Sequence, residues 1–199
     1  MCGSRGFNEI ARGLPRMSRG VLAQRLKLLE REELVERAPD GYVLTQAGAE
    51  LEGVLFALGE WGARWGFDEP REEELDPDLL VWWIHRGIDT SQLPDRRTVV
   101  EFRFRRRPER FWLLITRDDV GVCQHDPGLD SDLVVEADLR TMLRVWLGHV
   151  AMAEAMRADE VGIIGPPTLV RRFLRSLRLS PIAYAVQDAT SPAAVARSR

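Results

Sequence analysis

The stretch that decides the N-terminal fold reads Phe7-Asn-Glu-Ile-Ala-Arg-Gly-Leu-Pro15, then Ser18-Arg-Gly-Val-Leu-Ala-Gln-Arg-Leu-Lys-Leu-Leu-Glu30, then Leu34-Val-Glu-Arg-Ala-Pro-Asp-Gly-Tyr-Val-Leu-Thr45. Residues 8–13 suit a short helix, closed by Leu14-Pro15 because the residue before a proline is pushed out of the helical region. Ser18 is a good N-cap for the next helix. Leu22, Leu26 and Leu29 recur there at helical spacing and mark a buried stripe, with Arg19, Gly20, Ala23, Gln24 and Lys27 on the other side. Leu34–Ala38 and Tyr42–Leu44 read as two strands joined through Asp40-Gly41, a strong hairpin signal. Thr45 caps a long helix that runs to about Gly66.

Helix, turn, capped helix and hairpin in that order are the parts of a winged helix-turn-helix, whose second helix enters the DNA major groove. The charge pattern agrees. The 199-residue chain has a net charge of -3, yet its first thirty-one positions carry Arg5, Arg12, Arg16, Arg19, Arg25, Lys27 and Arg31 against only Glu9 and Glu30. An anionic partner for this third of the chain follows, and double-stranded DNA fits it. Phosphate contacts are expected from Arg16, Arg19 and Lys27, and base-edge contacts from Arg19, Gln24 and Ser18, with Gly20 on the same face. Arg37 and Tyr42 flank the wing tip, within reach of backbone or minor groove. The long helix carries Leu51, Val54, Leu55, Leu58, Trp61 and Trp65, a stripe too wide for so small a domain. It is either core against the second domain or a homodimer seam, and the seam is the preferred reading because such proteins read palindromic sites as dimers.

Asp68-Glu-Pro-Arg-Glu-Glu-Glu-Leu-Asp-Pro-Asp78 breaks the pattern and reads as a linker. The expected domains are a DNA-binding domain over 1–66, an acidic Pro-containing linker over 67–78, an α+β domain over 79–183 and a disordered tail over 184–199. In the second domain Thr98–Arg105 alternates, with Val100, Phe102 and Phe104 on one face and Val99, Glu101, Arg103 and Arg105 on the other. Further strands are expected at 111–116, 120–124, 133–137 and 160–164. Helices are expected at 79–88, 139–147, 150–156 and 167–177. Trp82, Trp83, Phe102, Phe104, Trp112, Met142, Trp146, Met152, Met156 and Phe173 would either line a cavity for an apolar small molecule or fill a solid core. Arg96, Arg97, Arg103, Arg105, Arg106, Arg107 and Arg110 form a second basic cluster, which alternation places mostly on solvent.

Catalytic constellations are missing from the sequence. His85, His125 and His149 are scattered, without the spacing of a metal site. No phosphate loop, nucleophile elbow or Cys–His pair occurs. Neither enzyme, cofactor nor metal is expected. Cys2 and Cys123 are too few and too far apart for a disulfide framework, and Cys123 reads as a buried filler. No apolar run spans a bilayer and no signal peptide is recognisable, so a cytoplasmic protein without a membrane partner is expected.

Several short motifs in order resemble the HxlR family of bacterial winged-helix transcriptional regulators. They are Phe7-Asn-Glu-Ile, Leu14-Pro, Ser18 to Glu30, Leu34-Val-Glu-Arg, Tyr42-Val-Leu-Thr-Gln-Ala-Gly48 and Leu58-Gly-Glu-Trp-Gly-Ala-Arg-Trp65. That family carries a further helical segment before the Phe-Asn-Glu motif. With six residues preceding Phe7, the resemblance implies a domain lacking that segment, through a start codon placed too late or through reduction of the domain. It would also lack the region where redox-sensing members keep a reactive cysteine. Leu133-Val-Val-Glu-Ala-Asp-Leu-Arg140, Val145-Trp-Leu-Gly148, Ala153-Glu-Ala-Met156 and Gly165-Pro-Pro-Thr-Leu-Val-Arg171 resemble the sterol carrier protein type 2 family. The two resemblances together imply a DNA-binding regulator whose C-terminal domain senses a ligand or mediates assembly. The rival is a lipid or apolar-metabolite binding module with a vestigial winged helix used for dimerisation.

Overall fold

The computed structural model describes residues 6–14, 16–65 and 71–190. Cys2, Arg5, Pro15, the start of the expected linker at 67–70 and the tail at 191–199 lie outside them. The chain divides into two compact units, residues 1–66 and 67–199.

The first unit opens with α1 (Phe7–Arg12) and α2 (Arg19–Arg31). The Ser18 hydroxyl accepts from the Val21 N–H at 3.3 Å, so α2 starts where the cap residue places it. Leu22 and Leu26 are buried, but Leu29 is 36% exposed. The expected stripe therefore ends a turn early, because the last turn of α2 runs past what this small unit can cover. The wing is β1 (Val35–Ala38) paired with β2 (Gly41–Leu44), with Ala38 opposite Gly41. Its two loop residues are Pro39 and Asp40, one position earlier than the Asp-Gly signal suggests. Gly41 instead closes the ladder at φ +130°, a conformation open to glycine. Thr45 ties the wing to α3 (Gln46–Trp65). Its hydroxyl donates to the Glu33 carbonyl at 2.6 Å and accepts from the Gly48 N–H at 3.1 Å. Gly48 is required there, since a Cβ would fall 1.9 Å from the Leu34 carbonyl oxygen.

The second unit is α+β. Its first helix, α4 (Pro77–Arg86), begins two residues before the expected start. Asp76 caps it, accepting from the Leu79 N–H at 3.0 Å, and Pro77 occupies the first turn. The acidic segment is thus structured at its C-terminal end, with a 3-10 turn at Glu72–Glu74 and Leu75 packed on the core. A five-stranded sheet follows: β3 (Thr98–Phe104), β4 (Arg110–Ile115), β5 (Val120–Cys123), β6 (Leu133–Ala137) and β7 (Val161–Ile164). The spatial order is β5-β4-β3-β6-β7, with β3 and β6 parallel and the other pairs antiparallel.

The core joins one sheet face to the helices α4, α5 (Leu139–Leu147), α6 (Met152–Arg157) and α7 (Pro167–Ser176). Phe102, Phe111, Leu113 and Leu133 come from the strands, and Leu80, Ile84, Met142 and Phe173 from the helices. Two expectations are corrected here. The second face of β3 is not a plain solvent face, because Val99 and Glu101 are buried too. Glu101 tolerates this because Arg103 grips it with two bonds of 2.8 and 2.9 Å, with Arg110 and the Ser131 hydroxyl each at 3.4 Å. The tail expected to be disordered from Tyr184 instead forms α8 (Ala183–Thr190), in which Ala183 and Val186 are buried. Ala183 packs on Gly148, the left-handed C-cap of α5 (φ +92°), where a Cβ would lie 2.7 Å from the Ala183 carbonyl oxygen. A helix rich in alanine needs only such close apolar contacts to dock, and composition conceals them.

Candidate nucleic-acid interface

Arg16, Ser18, Arg19, Gly20, Gln24 and Lys27 are all exposed. The 3.6-residue period turns Gly20, Gln24 and Lys27 away from buried Leu22 and Leu26, whereas Arg19 stands one turn before Leu22 on the side that meets α1, and Arg16 precedes the helix. Gly20 leaves that surface open, since a Cβ there would meet nothing within 4 Å. Ser18 is engaged as an acceptor by its own helix, which leaves its O–H and one lone pair for a base or phosphate.

Arg19 is not a free cation. Its Nη2 donates to Asn8 Oδ1 at 2.6 Å, and its guanidinium lies 5.0 Å from the centre of the Phe7 ring. A helix α1 of only six residues therefore supplies a rest for the arginine at the head of α2. Sequence reasoning missed Phe7 and Asn8, because nothing in their spacing tells that they face residue 19.

At the wing, Arg37 and Tyr42 stand opposite each other across β1 and β2. Arg37 Nη2 donates to the Tyr42 hydroxyl at 2.9 Å and its guanidinium lies 5.3 Å from that ring's centre. The hydroxyl's hydrogen bond, with the Glu30 carboxylate nearby, pushes the Arg37 pKa further up. A permanent cation is thereby fixed at the wing.

A protein-family comparison matches residues 1–70 to the HxlR-like helix-turn-helix. The uncharacterized HTH-type transcriptional regulator YvaP of Bacillus subtilis (strain 168) is 39% identical over 85 residues, covering 39% of this chain and 70% of that protein. The chain belongs to the HxlR family. A second relative, the HTH-type transcriptional regulator YodB of the same organism, is 38% identical over 77 residues, 35% of this chain and 67% of its own length. The cationic face of α2 and the Arg37–Tyr42 wing are thus parts of an HxlR-type helix-turn-helix, the DNA-binding element of a transcriptional regulator.

The solved structures give remote likenesses. The sec-alkylsulfatase Pisa1 from Pseudomonas sp. aligns with 55% of this chain at 16% identity and a TM-score of 0.44, over 17% of its own length. The ubiquinone synthesis protein UbiJ-SCP2 aligns with 75% of this chain and 99% of its own at 14% identity and a TM-score of 0.35. Sterol carrier protein 2 from Yarrowia lipolytica aligns with 62% and 99% at 13% identity and a TM-score of 0.37.

The ten apolar residues singled out in the second unit do not form one group. Phe102, Phe104, Met142 and Phe173 sit inside the core, with Phe102 6.4 Å from both Phe104 and Phe173. Trp83 and Trp146 stack at 4.6 Å on the margin of the core, where Met152 and Met156 are also half-buried. Trp82 is buried beside His85, their rings 4.4 Å apart. Trp112 alternates with Phe111 and Leu113 and so lies on the other sheet face, away from any cavity the rest could share.

Cys123 is half-buried and free. Among the described residues no group of three or more His, Cys, Asp or Glu could hold a metal. No described helix is long and apolar enough to cross a membrane.

Proposed function

We propose that the protein is a sequence-specific regulator that reads duplex DNA as a homodimer, with α2 in the major groove and the wing beside it. The observation that carries this reading is the run of exposed polar side chains along and just before α2, Arg16, Arg19, Gln24 and Lys27, on a helix that buries only Leu22 and Leu26. In this reading Arg19 bonds a base edge, Gln24 pairs with a neighbouring base, and Lys27, Arg16 and Arg37 neutralise phosphates. Asn8 and Phe7 hold the Arg19 guanidinium in one place before binding, which lowers the ordering cost of the contact. The second copy would pack along α3, whose Leu51, Leu55, Leu58, Trp61 and Trp65 are exposed. Two-fold pairing of readers matches a palindromic operator. Such a regulator works in the cytoplasm, where the DNA is.

Ligand sensing by the second unit would run through Trp83, Trp146, Met152 and Met156, whose partial exposure lets a small apolar molecule reach the core margin. A shift in thermal melting with apolar metabolites, lost on Trp146→Ala, would support that route.

The test of DNA reading is a gel-shift series on sites selected from random duplexes. Arg19→Ala should lose about 1–3 kcal/mol of discrimination against mutated sites. Lys27→Ala should weaken binding to all duplexes alike and flatten its salt dependence. Equal binding by wild type and both variants would remove α2 as the reader.

A further inference from the structure

The arginines in and around β3 divide in the folded chain. Arg96, Arg103 and Arg110 are taken up by Asp132 and Glu101. Arg105, Arg106 and Arg107 instead turn with the β3–β4 hairpin toward the start of α5, where Arg140 joins them around a cleft of about 600 Å³. One anion already occupies it, and it belongs to the chain. The Glu72 carboxylate lies 2.8 Å from Arg140 Nη2 and 3.6 Å from Arg107 Nη2. Arg105 reaches only as far as Asp159, at 3.8 Å. Arg106, held at φ +61°, makes no ion pair among the described residues.

We propose that this cleft binds a small phosphate monoester, whose phosphoryl group takes the place of the Glu72 carboxylate between Arg107 and Arg140. Glu72 is a weak incumbent: its side chain is 74% exposed, and ion pairs in that setting shift an equilibrium by no more than about fivefold. A phosphate monoester brings nearly two charges and three acceptor oxygens, which suit arginine forks better than one carboxylate does. Charge balance favours an anion. Four arginines face Glu72, Glu109 and Asp138 in the cleft and Asp159 lies on Arg105, so lifting Glu72 out leaves an excess of one positive charge. Asp138 does not compete for the arginines freely, because it caps α5 through the Thr141 N–H at 3.0 Å. The cleft is of small-molecule size, larger than a lone phosphate needs, and Leu75, Pro108 and Leu139 give it an apolar wall for the carbon part of an ester. Uptake of the ester frees the Glu72 carboxylate from Arg107 and Arg140.

Calorimetric titration of the full chain in chloride buffer tests this with ribose 5-phosphate, inorganic phosphate and ribose. Ribose 5-phosphate should bind more tightly than inorganic phosphate, and ribose should not bind. Glu72→Gln, which removes the internal competitor, should tighten the ester by about fivefold. Arg140→Ala and Arg107→Ala should each weaken it about tenfold at unchanged thermal melting. No saturable binding of the ester below about 10 mM, equal affinity of Glu72→Gln and wild type, or inorganic phosphate binding as well as the ester would overturn the proposal.

Discussion

Two contacts hold Arg19 before any DNA arrives: the 2.6 Å bond to Asn8 and the face of Phe7. A long side chain ordered in advance loses less rotamer freedom on binding, so Asn8 acts on recognition through Arg19. Asn8→Ala should reduce site discrimination by less than Arg19→Ala does, and a gel-shift comparison of selected and mutated sites reads the difference. Restoration of discrimination by Asn8→Asp, which keeps the acceptor, would separate positioning from general loss of stability. In the second unit, His85 is buried beside Trp82, its Nδ1 has no hydrogen-bond partner, and burial pushes its pKa down to about 4. Folding therefore favours the neutral ring. The unfolded chain takes up a proton near pH 6.5 and the folded one only near 4, so stability is full above 6.5 and falls as pH drops through that window. The loss is roughly 3 kcal/mol at most. Denaturant unfolding followed from pH 7 to 4.5 should show this slope, and His85→Phe should abolish it. Glu101 and Asp132, whose pKa values are lowered by Arg103 and by Arg96 with the Val99 N–H, lose their contribution only at lower pH.

At the scale of elements, α3 is the outlier. Its twenty residues span about 30 Å, and Val54, Leu58, Trp61 and Trp65 are each at least 60% exposed. Apolar surface of this extent on one helix calls for a partner, and the spacing 51, 55, 58, 65 is that of a helix-to-helix seam. Sedimentation at micromolar concentration should find a dimer, and the double variant Leu55→Glu/Leu58→Glu should sediment as a monomer. A wild-type monomer would remove the seam. Elements were legible in the sequence wherever a local signal sat on the boundary: Ser18 and Thr45 at helix starts, the alternation of β3, the apolar run of β6. They were misjudged where a distant partner decided. Glu101 is held by Arg103 and also by Arg110 and Ser131 from elsewhere in the chain, and the docking of α8 depends on Gly148. Composition places the first on solvent and the second in disorder. Asp76-Pro77 was a local helix-start signal overlooked because the surrounding acid reads as linker.

Over the whole molecule, charge is sorted rather than balanced. A chain of net charge -3 presents Arg16, Arg19, Lys27 and Arg37 together on its first unit, so its affinity for DNA should be governed by that face and not by the total. With about eight phosphates neutralised by a pair of readers, binding should fall about a thousandfold or more between 50 and 200 mM salt. A gel-shift titration in salt checks it, and a shallow slope would show that few of these cations touch phosphate. The motif order of the first unit was enough to place the helix-turn-helix, because its parts lie in one continuous stretch. The Arg107–Glu72–Arg140 cleft was not legible, since its three ionic residues are gathered from separate parts of the chain.

The pairing of β3 with β6 has a consequence for how the protein comes into being. Parallel neighbours cannot be joined by a tight turn, and here β4 and β5 are laid down on the other flank before β6 arrives. Long-range closure of this kind is slow, whereas the winged helix is assembled from consecutive, local pieces. A chain emerging from the ribosome would therefore own a finished DNA-reading head while the rest is still an open sheet with an unpaired edge.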